Sequence, residues 1–169
     1  MIWFTADLHL GHFNIIKYTK RPFKNIEEMD DTLIQNWNKY IDKHDIVIYL
    51  GDFCYKDLDP GKYLDQLNGH ITFIKGNHDN PNSLDAVIDH LVLVMYNIPV
   101  FCVHNPLDFS NSYRLNLVGH VHDKWKVKKV GRSYLVNVGI DVWNYCPVTF
   151  MQILKAIEVR ENGEKEKKE

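Results

Sequence analysis

Five short groups of residues with chemical potential occur in order along the chain: Asp7-Leu8-His9, Gly51-Asp52, Gly76-Asn77-His78-Asp79, Val103-His104-Asn105-Pro106 and Gly119-His120-Val121-His122. Their side chains are carboxylates, imidazoles and amides, the oxygen and nitrogen donors that hold hard-to-borderline divalent cations. Each group follows an apolar, β-branched run. A strand ending at a loop presents side chains rigidly without burying them in the core. Donors delivered from five strand ends predict a preformed site for two divalent metals. Taken singly, each group has a plainer reading: Asp-x-His as a surface turn, Gly-Asp as a turn or helix start, Gly-Asn-His-Asp as a turn with a solvated histidine. Those readings do not explain why five strand ends all carry ligands.

The elements that must position these groups are legible from periodicity. Ile2-Trp3-Phe4 begins a buried strand, Asp45 to Leu50 is a run buried on both faces, and Ile71 to Ile74 is a third. Between the first two, a polar loop runs through Arg21-Pro22-Phe23. Asn25 and Glu28 then form a capping box, ahead of a helix with Met29, Leu33, Trp37, Tyr40 and Ile41 on one stripe. Pro60 opens a short helix ended by Asn68-Gly69, and Asn82 or Ser83 caps a further helix carrying Leu84, Val87 and Ile88. This strand–helix alternation predicts parallel pairing through right-handed crossovers. After residue 90 successive strands are expected at Leu91 to Met95, Val100 to Val103, Leu115 to Val118, Lys126 to Val130 and Ser133 to Val138, with Gly131-Arg132 turning a hairpin. Pro147 then opens a last helix. The pattern alone gives the α/β class, with one domain over residues 1–159 and a charged, fraying tail over 160–169.

Composition narrows the function. A chain of 169 residues is long enough to bury a core without staples. Net charge is −2 and the pI about 6.5, so extended nucleic-acid binding is not expected. Three widely spaced cysteines, Cys54, Cys102 and Cys146, argue for a reducing compartment and against a disulfide framework. No leader or membrane span is read in the sequence, so a cytoplasmic location and no membrane partner are expected.

The ordered series D-x-H, G-D, G-N-H-D, V-H-N-P and G-H-x-H, spanning residues 7–122, resembles that of the calcineurin-like metallophosphoesterases. Asp7-Leu8-His9-Leu10-Gly11-His12 and Asn137-Val138-Gly139-Ile140-Asp141-Val142-Trp143 resemble more specifically the small single-domain bacterial and phage phosphoesterases of that superfamily. The resemblance implies a four-layer α-β-β-α sandwich of two mixed sheets flanked by helices. It implies two divalent metals bridged by Asp52, one held by Asp7, His9 and His122, the other by Asn77, His104 and His120. Manganese is the first expectation, with iron, nickel, cobalt and zinc as alternatives. It further implies that His78 assists the leaving oxygen of a phosphodiester or phosphomonoester while a dimetal-bound hydroxide attacks in line, and that Asp79 orients His78. Two other outcomes are compatible with the motif series: a non-catalytic metal-binding interaction scaffold of the same fold, and a nuclease acting on strand ends.

His12, Asn14 and Arg21 follow the first ligand pair and are candidates to line a substrate pocket, the arginine by a bidentate phosphate contact. Trp125, Trp143 and Tyr145 are candidates to stack on an aromatic group, with core or rim packing as the plainer role for each. Lys124, Lys126, Lys128 and Lys129 read as a solvated hairpin face. The expected partner is a small phosphoester, nucleotides included.

Overall fold

The computed structural model describes residues 1–55, 59–79, 84 and 87–165. Its strands are β1 (Ile2–Thr5), β2 (Ile46–Leu50), β3 (His70–Ile74), β4 (His90–Met95), β5 (Ile98–Val103), β6 (Leu115–Val118), β7 (Val127–Val130), β8 (Ser133–Asn137) and β9 (Val148–Thr149). The helices are α1 (Phe13–Tyr18), α2 (Ile26–Tyr40), α3 (Gly61–Leu64) and α4 (Phe150–Lys165). Two mixed sheets result. The first has order β3-β2-β1-β9 and the second β4-β5-β6-β8-β7. In the first, β1, β2 and β3 are parallel, as the strand–helix alternation requires, and β9 is antiparallel to β1.

Alternation along the strands divides the core in two. Trp3, Val47, Tyr49 and Phe73 face outward from the first sheet and pack on Met29, Leu33, Trp37, Ile15 and Tyr63 of the helices. Phe4, Ile48, Leu50 and Ile74 face the other way, against Val100, Cys102, Leu115, Leu117 and Val136 of the second sheet. The helix α4 closes this inter-sheet core with Phe150 and Ile153. The N-cap expected for α2 is present, Asn25 accepting from the Glu28 amide, while the Glu28 carboxylate accepts from the Lys24 amide, one residue before the N-cap whose amide a capping box would use. Among the described residues no helix is long and apolar enough to cross a membrane.

Four local expectations change. Residues 13–18, read as loop, form α1, whose single buried side chain Ile15 gives only a weak periodic signal. Pro147 does not open the last helix. The β-branched Val148 and Thr149 pair with Phe4 and Trp3, and α4 starts at Phe150 with Thr149 and Gln152 bonded reciprocally as a capping box. The tail from Arg160 is helical to Lys165, because Arg160 donates to the Val127 carbonyl and Glu161 accepts from Tyr134. The helix expected after Ser83 falls largely outside the described residues; Ile88 is bridged to Ile74 instead of being helical.

Helix α2 fixes the outer layer through fully buried side chains. Leu33→Ala is expected to cost about 2–5 kcal/mol of unfolding free energy in a urea titration. A loss under about 1 kcal/mol would show that α2 is not integral to the core.

Candidate metal centre

The candidate ligands sit where β1, β2, β3, β5 and β6 stop. Ladder pairing between β1 and β2 persists beyond the regular strands: the Asp7 amide donates to the Gly51 carbonyl, His9 to Asp52, and Leu10 to Phe53. That pairing holds an irregular backbone. Asp7 (φ 61°), His9 (φ 52°), Asp52 (φ 61°), His120 (φ 71°) and His122 (φ 48°) all adopt the left-handed region. A non-glycine residue there is strained, on the order of 1 kcal/mol or more each, and persists only where its surroundings fix it. Close approach is also required. A Cβ on Gly76 would lie 2.2 Å from the Asp52 amide and carboxylate, and Gly51 (φ 85°) leaves 2.5 Å beside the His104 ring.

Two clusters result. Atoms of Asp7, His9 and His122 capable of ligation lie within 4.8 Å of one another, and so do those of Asp52, His104 and His120. The Asp52 Oδ2 atom stands between them, 3.5 Å from His9 Nε2 and 3.4 Å from His104 Nε2. Asn77 joins the second cluster, its Oδ1 being 3.0 Å from His104 Nε2 and 2.7 Å from His120 Nδ1.

The donor chemistry fits cations. His104 Nδ1 donates to the Leu50 carbonyl at 2.6 Å, so its Nε2 points at two oxygens, those of Asn77 and Asp52. That contact is favourable only with a proton or a metal between them. Among the described residues neither buried ring nitrogen of His9 has a hydrogen-bond partner, an arrangement that a metal ligand satisfies. His122 Nδ1 lies 3.1 Å from Asp141 Oδ2, which leaves its Nε2 free to ligate. Carboxylates, imidazoles and one amide, with no thiolate, suit borderline divalent ions.

A family model described as calcineurin-like phosphoesterase matches residues 1–152. The chain belongs to this family. It is 40% identical over 170 residues to an uncharacterized protein of Methanocaldococcus jannaschii, covering 93% of this chain and 91% of that one. It is 24% identical over 180 residues to the Gene 66 protein of Mycobacterium phage L5, covering 83% and 86%. The crystal structure of a protein of unknown function from Aquifex aeolicus shares the fold at a TM-score of 0.74 and 22% identity, covering 92% of this chain and 98% of that one.

Two expected site residues of this calcineurin-like phosphoesterase have other work. Arg21 does not line a phosphate pocket. Its side chain is buried, paired with Asp141 through Nε (2.8 Å) and Nη2 (3.1 Å), and it donates to the Asp7 and Leu8 carbonyls. The guanidinium therefore holds the loop carrying Asp7 and His9. Asp79 does not turn its carboxylate to the His78 ring. It accepts from the Asp52, Phe53 and Gly76 amides at 2.8–2.9 Å, and so ties the Asp52 and Asn77 loops together. Asn14 is exposed on the first turn of α1. His12 does approach, with its ring 5.6 Å from His9 and 6.3 Å from His78. Trp143 lies under the Lys126 ammonium and donates its ring N–H to the Asn137 carbonyl, and Tyr145 packs on Phe23. Asp141 was not singled out by sequence; its position within the Asn137–Trp143 motif was the available signal. Asp30, which accepts from the Gly11 amide and from Tyr63, is a further unforeseen anchor of the same loop.

Burial dominates the electrostatics. It pushes Asp7 up to about 7, against the pull of His104 and His122. For Asp52, burial acts the same way but is outweighed by His104, His9 and the His78 amide, which hold the carboxyl well below the usual carboxylate range. Burial lowers His9 well below the ordinary imidazole value, and lowers His120. It opposes but does not prevent the rise of His104 to about 9, caused by Asp52, Asp7 and the Leu50 carbonyl. His122 is also raised against burial by Asp141 and Asp7. Asp141, despite burial, is lowered to about 2 by His122 and Arg21.

Raised histidines stabilise the fold below their unfolded value of 6.5, and that stability is lost as pH climbs through the folded value. The Asp7 contribution is lost between 3.8 and about 7, and those of Asp52 and Asp141 change only in acid. Chelator-treated protein is therefore expected to lose stability from pH 7 to about 9, by on the order of 3 kcal/mol through His104. Added Mn²⁺ or Zn²⁺ should raise the melting temperature, more at pH 9 than at pH 7, because ligation needs neutral imidazole. A metal-free Tm that is flat or rising over this range would contradict the assigned His104 environment. Separately, Arg21→Ala removes one side of a buried ion pair and leaves Asp141 with His122 as its remaining partner, with an expected cost of about 3–5 kcal/mol in denaturant unfolding. A cost under about 1 kcal/mol would show that the pair does not brace the loop.

Proposed function

We propose that this protein hydrolyses phosphate esters with two divalent cations, diesters in preference to monoesters. The observation carrying the reading is the convergence of six donor side chains on Asp52, with His78 beside them and its amide bonded to Asp52 Oδ1 at 2.8 Å. Bound there, two cations supply charge neutralisation for the phosphoryl oxygens and lower the pKa of water. In this assignment Asp52 is the ligand shared by both, Asp7, His9 and His122 complete one set, and Asn77, His104 and His120 the other. Neutral Asn77 adds an oxygen without adding another anion. Which divalent metal is resident is part of the proposal: manganese first, with iron, nickel, cobalt and zinc as alternatives.

The exposed His78 ring, 5.4 Å from that of His9, is placed to give a proton to the departing oxygen while water attacks phosphorus from the opposite side. Cys54 lies in the same cleft, but burial raises its thiol to about 11, so it stays protonated at neutral pH and is a poor nucleophile. Two cavities flank the donors. One, of about 280 Å³, is lined by His9, His12 and His78; the other, of about 370 Å³, by Asn77, His104 and Lys75. A diester has an organic arm for each side, and a monoester fills one. A further cavity of about 560 Å³, beside Trp143 and α4, is lined by none of the candidate ligands and has no part in this chemistry.

With Mn²⁺, the bis-nitrophenyl diester should turn over faster than the nitrophenyl monoester. His78→Ala should lower kcat by about 10²–10⁴-fold with metal content unchanged. Asp52→Asn should lose both metal and turnover. Wild-type activity in His78→Ala removes the proton-donor role. No hydrolysis of either ester with Mn²⁺, Zn²⁺, Co²⁺ or Ni²⁺ makes the protein a metal-binding scaffold instead.

A further inference from the structure

The cleft on the His78 side is walled by rings. The His12 ring centroid lies 5.0 Å from that of Tyr55, 6.5 Å from Tyr18 and 6.3 Å from His78. Tyr18 is 72% exposed and Tyr55 36%, so core packing does not account for either. Tyr18 ends α1 and packs no part of its core face, which is left to Ile15. Tyr55 follows the Leu10–Cys54 bridge, and its amide donates to the Leu10 carbonyl at 2.8 Å, which fixes it opposite His12. At about 280 Å³ the cleft is smaller than the roughly 300–1,000 Å³ of pockets for whole ligands, a size suited to one arm of a substrate. Apart from Cys54, its lining is flat rings with polar edges: two phenols and the imidazoles of His9, His12 and His78. Such walls suit a heteroaromatic ring with hydrogen-bonding edges better than an alkyl or sugar group.

We propose that this cleft, formed by His12, Tyr18 and Tyr55, holds the nucleobase of a nucleotide diester, and that the nucleoside held there is the leaving group. The assignment rests on the phosphoesterase reading for its second half only. His78 lines the same cleft, so the oxygen within its reach belongs to the arm seated there. Water adds to phosphorus and gives up a proton to solvent, the bond from phosphorus to the nucleoside oxygen breaks, that oxygen takes the His78 proton, and solvent returns a proton to His78. The other arm, on the Lys75 side, keeps the phosphate.

Two measurements test this. The first needs no metal: adenosine is titrated into chelator-treated protein while the ring resonances of Tyr18 and Tyr55 are followed. Saturable shifts at both rings are expected. Binding should weaken about 10-fold or more when Tyr18→Ala and Tyr55→Ala are combined, and survive when both become Phe, which retains the ring face. No shift at either ring, or undiminished binding in the double alanine variant, overturns the cleft assignment. The second uses Mn²⁺-loaded protein and the methyl ester of adenosine 5′-monophosphate. Adenosine and methyl phosphate are the expected products. Adenosine monophosphate and methanol would overturn the leaving-group assignment while leaving the phosphoesterase reading intact. Adenosine binding without hydrolysis of any ester would uphold the cleft and remove both the leaving-group role and the phosphoesterase reading.

Discussion

One buried carboxylate organises the site. Asp52 is 1% exposed, and its two oxygens are already divided in use: Oδ1 accepts from the His78 amide, and Oδ2 lies between histidines from two different sheets. Removing an ionised carboxylate from water costs several kcal/mol even after relaxation, so the fold must surround it with positive character. Imidazoles and an amide supply part of this. Bound cations would supply the rest, and the unpartnered nitrogens of His9 mark where such charge belongs. Asp7, driven toward neutrality by burial, shows the same pressure without a full set of compensating donors. A cation beside it would reverse the balance and restore the carboxylate.

Holding Asp52 in place requires backbone that an isolated chain would avoid. Five of the seven proposed ligands are left-handed, and the compensation comes from outside the cluster. The Tyr49 hydroxyl accepts from the Leu8 amide and donates to the Asp52 carbonyl, joining the two strand ends from beneath. The Asp79 carboxylate gathers three amides from the Asp52 and Gly76 loops. Arg21 gathers two carbonyls from the Asp7 loop and links them, through Asp141, to His122. Acid therefore collects donors on one side and base collects acceptors on the other. These charged groups act on the loops that carry ligands, which explains why they lie so close to the centre without facing it.

The sequence was most legible where a residue's role is local. Strand runs such as Val47 to Leu50 are buried on both faces and announce themselves by continuous hydrophobicity, and the Asn25–Glu28 cap is a four-residue event. The ligand groups were legible because strand ends and donor types coincide. Roles set by long-range geometry were not. Arg21 pairs with a residue 120 positions away, and nothing near it in sequence distinguishes a buried brace from a phosphate contact. Asp79 was read as the partner of its neighbour His78, whereas the turn directs it back onto Gly76 and across to Asp52. The aromatic wall was missed for a related reason. Tyr18 sits on a six-residue helix too short to show a face, and Trp143, which stood out in the sequence, is occupied by Lys126.

These features tie the chemistry to the stability of the fold. The same inter-strand bonds that complete the β1–β2 ladder hold the ligands, so strain at the centre is borne by the first sheet and not by a detachable loop. His104 connects the two sheets directly: it stands at the end of β5, and its Nδ1 donates to the last carbonyl of β2. Metal ligation at its Nε2 would reinforce that bond, because a ligated imidazole is a stronger Nδ1–H donor. Metal binding and the junction between the sheets are therefore one equilibrium. The site is built into the seam of the sandwich, so stabilising one stabilises the other, and the left-handed residues that a simpler fold would replace are kept because no relaxed backbone brings both sheets' ligands to Asp52.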